Sequence, residues 1–336
     1  MPAEWEPHEA IWLSWPHDEE SYPDLPRVEE TFAEIIAAIQ DSERVRLFVT
    51  GEAMRERAAR LMRARGADPE RVRFFTADYA DIWIRDYGPI FVVDRERGKR
   101  AMTHWVFNAW GGKYEELKGD TRVPESILAA MPMPRFRPGV VLEGGAIDVN
   151  GRGALLTTEQ CLLNPNRNPG LGREEIEGRL RDYLGAEHVV WLKEGIAGDD
   201  TDGHVDDIAR FVAKDTVVCA WEDDVSDPNH AVLMEDYELL RRATDQDGRP
   251  LTIVKLPMPG VVARRDGGRL PASYANFYIG NKTVLVPTFA HANDRRALSI
   301  LAELFGGRDV VGIDCRALVH GLGTIHCASQ QEPSPS

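Results

Sequence analysis

The feature that most constrains the fold is an order of elements that recurs about every 55 to 65 residues. Each repeat begins with two short β-type runs across a tight turn, continues into a helical pattern and ends in a β-branched run. Asn-Gly, Lys-Asp and Gly-Asn occupy the turns, as hairpins require. The predicted hairpin, helix and closing strand of each repeat lie at 91–107, 124–131 and 140–145; at 146–158, 172–185 and 188–192; at 209–221, 229–243 and 252–257; and at 276–289, 293–306 and 310–314.

A repeat of this length implies one supersecondary unit that is copied several times within a single architecture. Four copies are visible, and the two ends of the chain could combine as a fifth. The amino-terminal part contributes predicted helices at 31–40 and 52–66 and predicted strands at 46–50 and 72–78. Because no Pro/Ser-rich linker interrupts the pattern, we expect one α/β domain over residues 1–330 and a flexible tail over 331–336.

The charge balance argues against nucleic acid as a partner. Lys and Arg number 40 against 55 Asp and Glu, a net charge of −15, which repels a polyanion. No stretch approaches the roughly 18 apolar residues that a membrane helix needs, so no membrane partner is expected. The opening MPAEWEPHEA lacks the features of a secretory signal, and the sequence favours a cytoplasmic protein.

Familiar cofactor and hydrolase motifs are absent from the sequence. There is no G-x-x-x-x-G-K-[ST], G-x-S-x-G or H-E-x-x-H, so nucleotide-binding and serine-hydrolase functions lose their main support. The four cysteines contain no C-x-x-C pair, which excludes a zinc ribbon, and a disulfide framework is improbable in a chain of this length. These cysteines are Cys161, Cys219, Cys315 and Cys327.

Polar residues stand where the strand of each repeat gives way to a loop. In an extended segment His204 and Asp206 project from the same face, whereas Cys327 faces away from His326. Each residue alone is more typical of a cap, a turn or a structural histidine, and only their common position at one end suggests a site. The candidates are Asp86, Glu143, His204, Asp206 and Cys327.

Several long segments, in order, resemble the agmatine deiminases within the wider Porphyromonas-type peptidylarginine deiminase group. The resemblance implies a five-fold pseudosymmetric α/β propeller (pentein) of ββαβ units, a homodimer, and hydrolysis of a guanidine by a cysteine nucleophile without a cofactor. The segments are MPAEWEPHEAIWLSWP, DIWIRDYGPIFV, FNAWGGKY, LEGGAIDVNGRG, LNPNRNP, DDTDGHVDDIARF, RLPASYANFYIGN and GTIHCASQQEP.

Carried over to this sequence, the resemblance makes Cys327 the nucleophile and His204 the general acid and base. It makes Asp86 and Asp206 the ligands of the guanidinium, and Glu143 the carboxylate that supports both the histidine and the substrate. Two departures lie beside these residues: Asp202 and Thr324 stand where many agmatine deiminases have Asn. They bear on substrate identity more than on reaction type.

The residue types suit the chemistry of a guanidine. A guanidinium is charged and planar, so two carboxylates from different segments can hold it flat over the sulfur. Carboxylates also raise the pKa of a thiol, so we expect little thiolate until the cationic substrate enters. Trp83 is expected to wall the pocket and stack on the planar cation. The loop 164–169 and the histidines His8, His17 and His326 are interpreted as structural.

Other readings of the residues stay open at this point. The resemblance implies that agmatine is hydrolysed through an amidino-cysteine to N-carbamoylputrescine and ammonia. Arginine or peptidylarginine could replace agmatine as the guanidine, and each would give its own urea-type product and ammonia. A metal-dependent hydrolase is a second class, since mixed carboxylate and imidazole ligands suit Mn or Zn. A non-catalytic polyamine-binding protein is a third. The metal ligands would be Glu143, His204, Asp206 and Asp207.

Overall fold

The computed structural model describes residues 1–265 and 267–335. Its strands are short, two to seven residues, as expected for small sheets joined by tight turns. In chain order they are β1 His8–Ser14, β2 Arg44–Val49, β3 Val72–Thr76, β4 Ile90–Asp94, β5 Lys99–Thr103, β6 Arg135–Phe136, β7 Asp148–Val149, β8 Ala154–Thr158, β9 His188–Leu192, β10 Ala209–Ala213, β11 Thr216–Trp221, β12 Thr252–Pro257, β13 Tyr278–Ile279, β14 Thr283–Thr288, β15 Asp309–Asp314 and β16 Ser329–Pro333.

The helices separate the strands, and several begin at residues that favour a helix start. Asp24 and Asp227 accept hydrogen bonds from backbone N–H groups of the first turns of α1 and α8, each followed by an early proline. The helices are α1 Leu25–Ile39, α2 Glu52–Ala64, α3 Ile84–Tyr87, α4 Ala109–Gly112, α5 Val123–Ala130, α6 Glu159–Leu162, α7 Arg173–Leu184, α8 Pro228–Arg242 and α9 Asp294–Leu304. Among the described residues, no helix combines the length and apolarity needed to cross a membrane.

Within residues 1–265 and 267–335 the strands form five separate sheets. Four have three strands in chain order, in which an antiparallel hairpin is followed by a parallel third strand. The fifth has the order β16-β1-β2-β3, with β16 antiparallel to β1. The predicted repeat is therefore confirmed, and both ends of the chain build the fifth unit.

Two sequence-based expectations about the elements are wrong. The segment 140–145 is not the third strand of its sheet; Arg135 and Phe136 occupy that place beside β5, and only Val141 forms an isolated bridge. Glu143 instead precedes a 3₁₀ turn at Gly144–Ala146. The β-branched residues before Glu143 favoured the prediction of a strand over this turn. The expected tail is also ordered through Pro333, because β16 pairs along β1 and its residues are buried.

Short 3₁₀ turns, rather than strand ends alone, present polar residues at one end of the units. The turns relevant to the site are Gly144–Ala146, Val205–Asp207 and Leu318–Gly321. The sheets themselves are packed with apolar side chains, and β1, β2 and β14 are buried except for one residue each. This apolar scaffold fixes loops that carry buried charges.

Candidate active site

Cys327 lies in a turn over residues 325–328 that immediately precedes β16. Its side chain is 6% exposed, and its Sγ lies 3.6 Å from Asp206 Oδ2. The Asn276 Nδ2 group donates to the same sulfur at 2.9 Å. The strand alternation expected around Cys327 therefore does not apply, since the residue precedes the strand.

His204 and Asp206 converge, but not through the extended backbone predicted for them. His204 precedes the 3₁₀ turn Val205–Asp207, and the strand begins only at Ala209. A Cβ at Gly145 would lie 2.6 Å from His204 Nδ1, 3.1 Å from Asp206 Oδ2 and 3.0 Å from Asp86 Oδ1. The three side chains thus surround one backbone position, where a larger residue than glycine would collide with them.

Asp86 reaches the same point from the short helix α3. The backbone N–H of Gly145 donates to Oδ1 at 2.9 Å, and Trp110 Nε1 donates to Oδ2 at 3.0 Å. Trp110 has φ 51°, in the left-handed region, so the backbone of its loop is constrained to present the indole to the carboxylate. The two carboxylates predicted to hold a guanidinium are therefore brought together.

Glu143 forms an ion pair with Arg167 that the sequence analysis did not anticipate. Arg167 Nε donates to Glu143 Oε1 at 2.7 Å, and Arg167 Nη1 donates to Asp202 Oδ2 at 2.5 Å. The interpretation of 164–169 as a loop without chemistry is therefore wrong, because this buried arginine joins Glu143 to Asp202. Glu143 Oε2 has no hydrogen-bond partner among the described residues, and no hydrogen bond joins Glu143 to His204 there.

His326, interpreted from the sequence as structural, contacts the candidate residue Asp206. Its Nδ1 lies 2.6 Å from Asp206 Oδ2, and its Nε2 lies 2.8 Å from Glu4 Oε2. Both ring nitrogens are therefore engaged by carboxylates, which leaves neither of them facing the Cys327 thiol as a base. His8, by contrast, contacts Glu43 and Tyr278 outside this cluster, as a structural histidine does.

Burial and surrounding acids keep Cys327 protonated in the free enzyme. Burial raises the pKa of the Cys327 thiol well above its usual range, and Asp206, Asp207 and Asp86 add to the shift. Burial likewise raises the pKa of Asp86 well above its usual range, with Asp206 and Glu143 contributing. Both shifts favour the neutral form of these groups as long as no cation lies beside them.

The pKa values of His204 and Asp206 are lowered, in contrast to those of Cys327 and Asp86. Burial lowers the pKa of His204 to about 3, more than the nearby Asp206 carboxylate can offset. Burial disfavours the charged form of Asp206 as well, but the hydrogen bond and charge of His326 hold its pKa below the usual range. The free site therefore contains a neutral imidazole beside one ionised carboxylate.

A cavity of about 520 Å³ leads to the sulfur and to Asp86. Trp83 lines it, with its Nε1 donating to Asp81 Oδ2 at 2.9 Å. A Cβ at Gly321 or Gly323 would lie within 2.8 Å of the Trp83 ring, so these glycines admit the indole rather than a ligand. The carboxylic acids in the lining are Asp18, Glu20, Asp81, Asp86, Glu116 and Asp200.

The four residues considered as metal ligands do not meet at one point within the described parts of the chain. Ligand atoms of Glu143 and His204 lie within 4.8 Å of one another and of Cys161, whereas Asp206 and Asp207 group in the same way with Cys327. The cysteines are free and buried. The geometry therefore gives two separate groups rather than the predicted single ligand set.

Sequence reasoning named candidate residues that the structure brings close together, but it missed their partners. Asn276 and Arg167 contact candidate residues that are distant in sequence, and Glu4 contacts His326, which in turn contacts Asp206; no local pattern marks these three partners. A signal did exist, because Asn276 lies in RLPASYANFYIGN and Arg167 in LNPNRNP, two of the segments that carried the family resemblance.

The comparisons with known proteins agree along the whole chain. The family model of the Porphyromonas-type peptidyl-arginine deiminases matches residues 1–333. An agmatine deiminase of Stutzerimonas stutzeri is 40% identical over 359 residues, covering 100% of this chain and 95% of that protein. One of Medicago truncatula is 38% identical over 366 residues, covering 99% and 96%.

Solved structures give the same result at the level of the fold. An agmatine deiminase of Enterococcus faecalis superposes with a TM-score of 0.93 at 34% identity, covering 100% of this chain and 96% of that one. The match includes the loops that carry the candidate residues as well as the five sheets, because it extends over the full chain.

Proposed function

Since this chain belongs to the Porphyromonas-type peptidyl-arginine deiminase family, we propose that it hydrolyses agmatine to N-carbamoylputrescine and ammonia. One observation carries the proposal: the Cys327 sulfur lies 3.6 Å from the Asp206 carboxylate and opens to an acid-lined cavity. Two relatives that cover the chain almost completely are agmatine deiminases. The reaction is hydrolysis of a C–N bond in a linear amidine, a step in polyamine synthesis towards putrescine.

The guanidinium is held flat between Asp86 and Asp206. Asp206 Oδ1 lacks a hydrogen-bond partner among the described residues, so it is available to accept an N–H from the substrate. Asp86 is fixed by hydrogen bonds from Gly145 and Trp110, and the bound cation lowers its pKa and so favours its ionised form. The planar cation then lies over the sulfur, with Trp83 forming part of the wall.

The first half of the reaction releases ammonia. The positive charge of the substrate favours loss of the Cys327 proton, which passes to the neutral His204. The thiolate attacks the guanidine carbon, and a C–S bond forms as the C=N electron pair moves to nitrogen. His204 returns the proton to the departing nitrogen, the C–N bond breaks, and an amidino-cysteine cation remains.

The second half releases the urea-type product. His204, again neutral, takes a proton from water while the oxygen attacks the same carbon. The C–S bond then breaks, the hydroxyl proton passes to the sulfur, and the imidazolium proton leaves to ammonia as ammonium. Glu143, held by Arg167, lies near His204 and favours its transient positive charge.

The charge of the cavity favours agmatine over other guanidines. Agmatine carries an ammonium as well as a guanidinium, and six carboxylic acids line the cavity. Free arginine carries a carboxylate in addition to its ammonium. Among the described residues that line the cavity, Arg264 is the arginine that could face this carboxylate. We therefore expect agmatine to be turned over in preference to arginine or a blocked arginyl peptide.

The experiment compares ammonia release from these three substrates at equal concentration and measures covalent labelling after acid quench. Radiolabelled agmatine is expected to label the wild-type protein, whereas Cys327→Ala is expected to remain unlabelled and inactive. Preference for the peptide would overturn the choice of substrate, and equal labelling of both proteins would overturn the choice of nucleophile.

The same assay separates the other classes. A metal-dependent hydrolase loses activity in a chelator, whereas a thiol mechanism keeps it, and a binding protein releases no ammonia at all. We propose a cytoplasmic location, which the four free, buried thiols support because such thiols persist in a reducing compartment.

A further inference from the structure

We propose that Asn276 is an additional catalytic residue, whose side-chain amide N–H stabilises the Cys327 thiolate while its carbonyl oxygen fixes the turn that carries the sulfur. Asn276 is fully buried and lies two residues before the start of β13 at Tyr278. Its Nδ2 donates to Cys327 Sγ at 2.9 Å. This inference rests on the proposed function, because it assumes that Cys327 is the nucleophile.

The orientation of the Asn276 amide is set by its surroundings. Oδ1 accepts from the backbone N–H of His326 at 3.1 Å and from that of Cys327 at 3.3 Å. The Thr324 hydroxyl donates to the same oxygen at 2.8 Å. A flipped amide would point its own N–H groups at two backbone N–H donors, so only the observed orientation satisfies these groups.

The backbone on either side of Asn276 is held rigidly. Arg210 Nη1 donates to the carbonyl oxygens of Ala275 at 3.2 Å and Phe277 at 2.7 Å. Ser273 Oγ accepts from Ala275 N–H at 3.1 Å and donates to the Asp207 carbonyl at 2.7 Å. The amide donor is therefore preorganised and need not move when charge develops on the sulfur.

The sulfur needs such a donor because its other close neighbours are acids. Asp206, Asp207 and Asp86 all disfavour a negative charge on Cys327, whereas the hydrogen bond from Asn276 is the contact that favours it. The hydrogen bond from Asn276 also opposes the raised pKa of Asp207, whose carboxylate lies within 4.8 Å of the sulfur. A neutral donor can stabilise the thiolate without repelling the cationic guanidinium, which a lysine or arginine at this position would do.

Thr324 offers a second, milder way to disturb the same amide. Its hydroxyl donates to Asn276 Oδ1, and no hydrogen bond joins it to the sulfur among the described residues. Thr324→Val keeps the shape and removes the donor, while Thr324→Ser keeps the donor. The pair therefore isolates the hydrogen bond from the volume of the side chain.

Kinetics on agmatine form the first test. Asn276→Ala and Asn276→Asp are expected to lower kcat at least 100-fold with KM changed less than threefold, since neither substitution removes Asp86 or Asp206. Thr324→Val is expected to lower kcat three- to tenfold, and Thr324→Ser to match the wild type. Folding of each variant is checked by its melting temperature.

Alkylation of Cys327 by iodoacetamide is the second test and needs no turnover. Below the thiol pKa, the alkylation rate follows the thiolate fraction. At a fixed pH we expect Asn276→Asp to react at least tenfold more slowly than the wild type, with the modified residue identified by mass spectrometry. The pH–rate curve of the variant shifts upwards, which a merely structural substitution does not cause.

The two tests have separate outcomes. Folded Asn276 variants with wild-type kcat and wild-type alkylation rates overturn the role of Asn276. Slower alkylation in a protein whose wild type releases no ammonia from agmatine supports Asn276 and overturns the proposed function instead. If neither Asn276 variant folds, the Thr324 pair decides: threefold slower alkylation of Thr324→Val than of Thr324→Ser supports the inference, and equal rates overturn it.

Discussion

At the residue scale, Cys327 and His204 are both neutral before the substrate binds. Burial and three acids favour the thiol form of Cys327, while burial prevents His204 from holding a proton. In the proposed mechanism, the proton that His204 delivers to the leaving nitrogen therefore comes from the thiol, rather than from a preformed imidazolium. Activation is thus coupled to the arrival of a cation, which limits reaction with neutral electrophiles.

This charge state predicts the pH dependence of the reaction. The raised pKa of Cys327 means that the thiolate fraction of the free enzyme grows as pH rises, so kcat/KM for agmatine should increase through neutral pH to about pH 9. In the enzyme–substrate complex the guanidinium favours the thiolate, and kcat should therefore vary less with pH. Initial rates of ammonia release across this range check both trends, and a kcat/KM that falls above pH 7 contradicts them.

The individual residues show what a sequence can and cannot reveal. Cys327, His204 and Asp86 could be named because their types suit guanidine chemistry and their segments resemble a family. Arg167 and Asn276 act through contacts with residues 24 and 51 positions away, and such pairings depend on the folded chain. An arginine in a loop and an asparagine just before a short strand carry no local sign of these partners.

At the element scale, the hairpins and helices followed from periodicity, whereas the 3₁₀ turns did not. The hairpin around Asn150 has its strands where alternation predicts them, at β7 and β8. The segment Val205–Asp207 has the same alternation of residue types but turns; there the Asp207 carbonyl oxygen accepts from Ser273 Oγ, and the Asp206 carboxylate contacts His326 Nδ1. Extended and turned backbones of three residues cannot be told apart by residue type alone.

Asp236 on α8 provides a prediction about stability at this scale. The side chain is fully buried, its Oδ1 accepts from Lys193 N–H at 2.7 Å, and burial raises its pKa to about 7. The folded state therefore holds this proton more tightly than the unfolded state does. Its contribution to stability is greatest below about pH 4 and is lost as pH rises to about 7.

We expect Asp236→Asn to remove that pH dependence. As pH rises from about 4.5 to 8, the free energy of unfolding of the wild type should fall relative to that of the variant by on the order of 3 kcal/mol. Urea denaturation of both proteins at several pH values measures the difference. A constant difference across this range would mean that Asp236 stays ionised in the fold. Asp223→Asn, on the exposed loop before α8, serves as a control with no expected effect.

At the scale of the whole molecule, the two ends of the chain complete one unit and one site. Glu4 contacts His326, and the carbonyl oxygen of Cys327 accepts from the backbone N–H of Arg85 at 3.2 Å. β1 and β16 pair beside them in the same sheet. The repeat predicted this closure in outline, but the last residues looked like a polar tail because their buried polar groups are satisfied only by distant partners.

Removal of the last strand should therefore disrupt both the fold and the reaction. Glu332 is fully buried and accepts from Trp12 Nε1 at 2.7 Å and from Arg46 Nη2 at 2.8 Å. Gln331 Oε1 accepts from Arg85 Nη1 at 2.5 Å, which helps to hold the segment behind Cys327. A chain that ends at Gln330 leaves the buried arginine and indole donors without these partners.

We expect the chain that ends at Gln330 to lose about 4 kcal/mol or more of stability, since the loss of one member of a buried ion pair alone costs roughly 3–5 kcal/mol. Its agmatine turnover should fall with the loss of fold. A chain that ends at Ser334 keeps β16 and should match the wild type in melting temperature and kcat. Glu332→Gln, which preserves shape and removes charge, should lie between the two. Equal melting temperatures for the chains ending at Gln330 and Ser334 would show that β16 does not hold the fifth unit together.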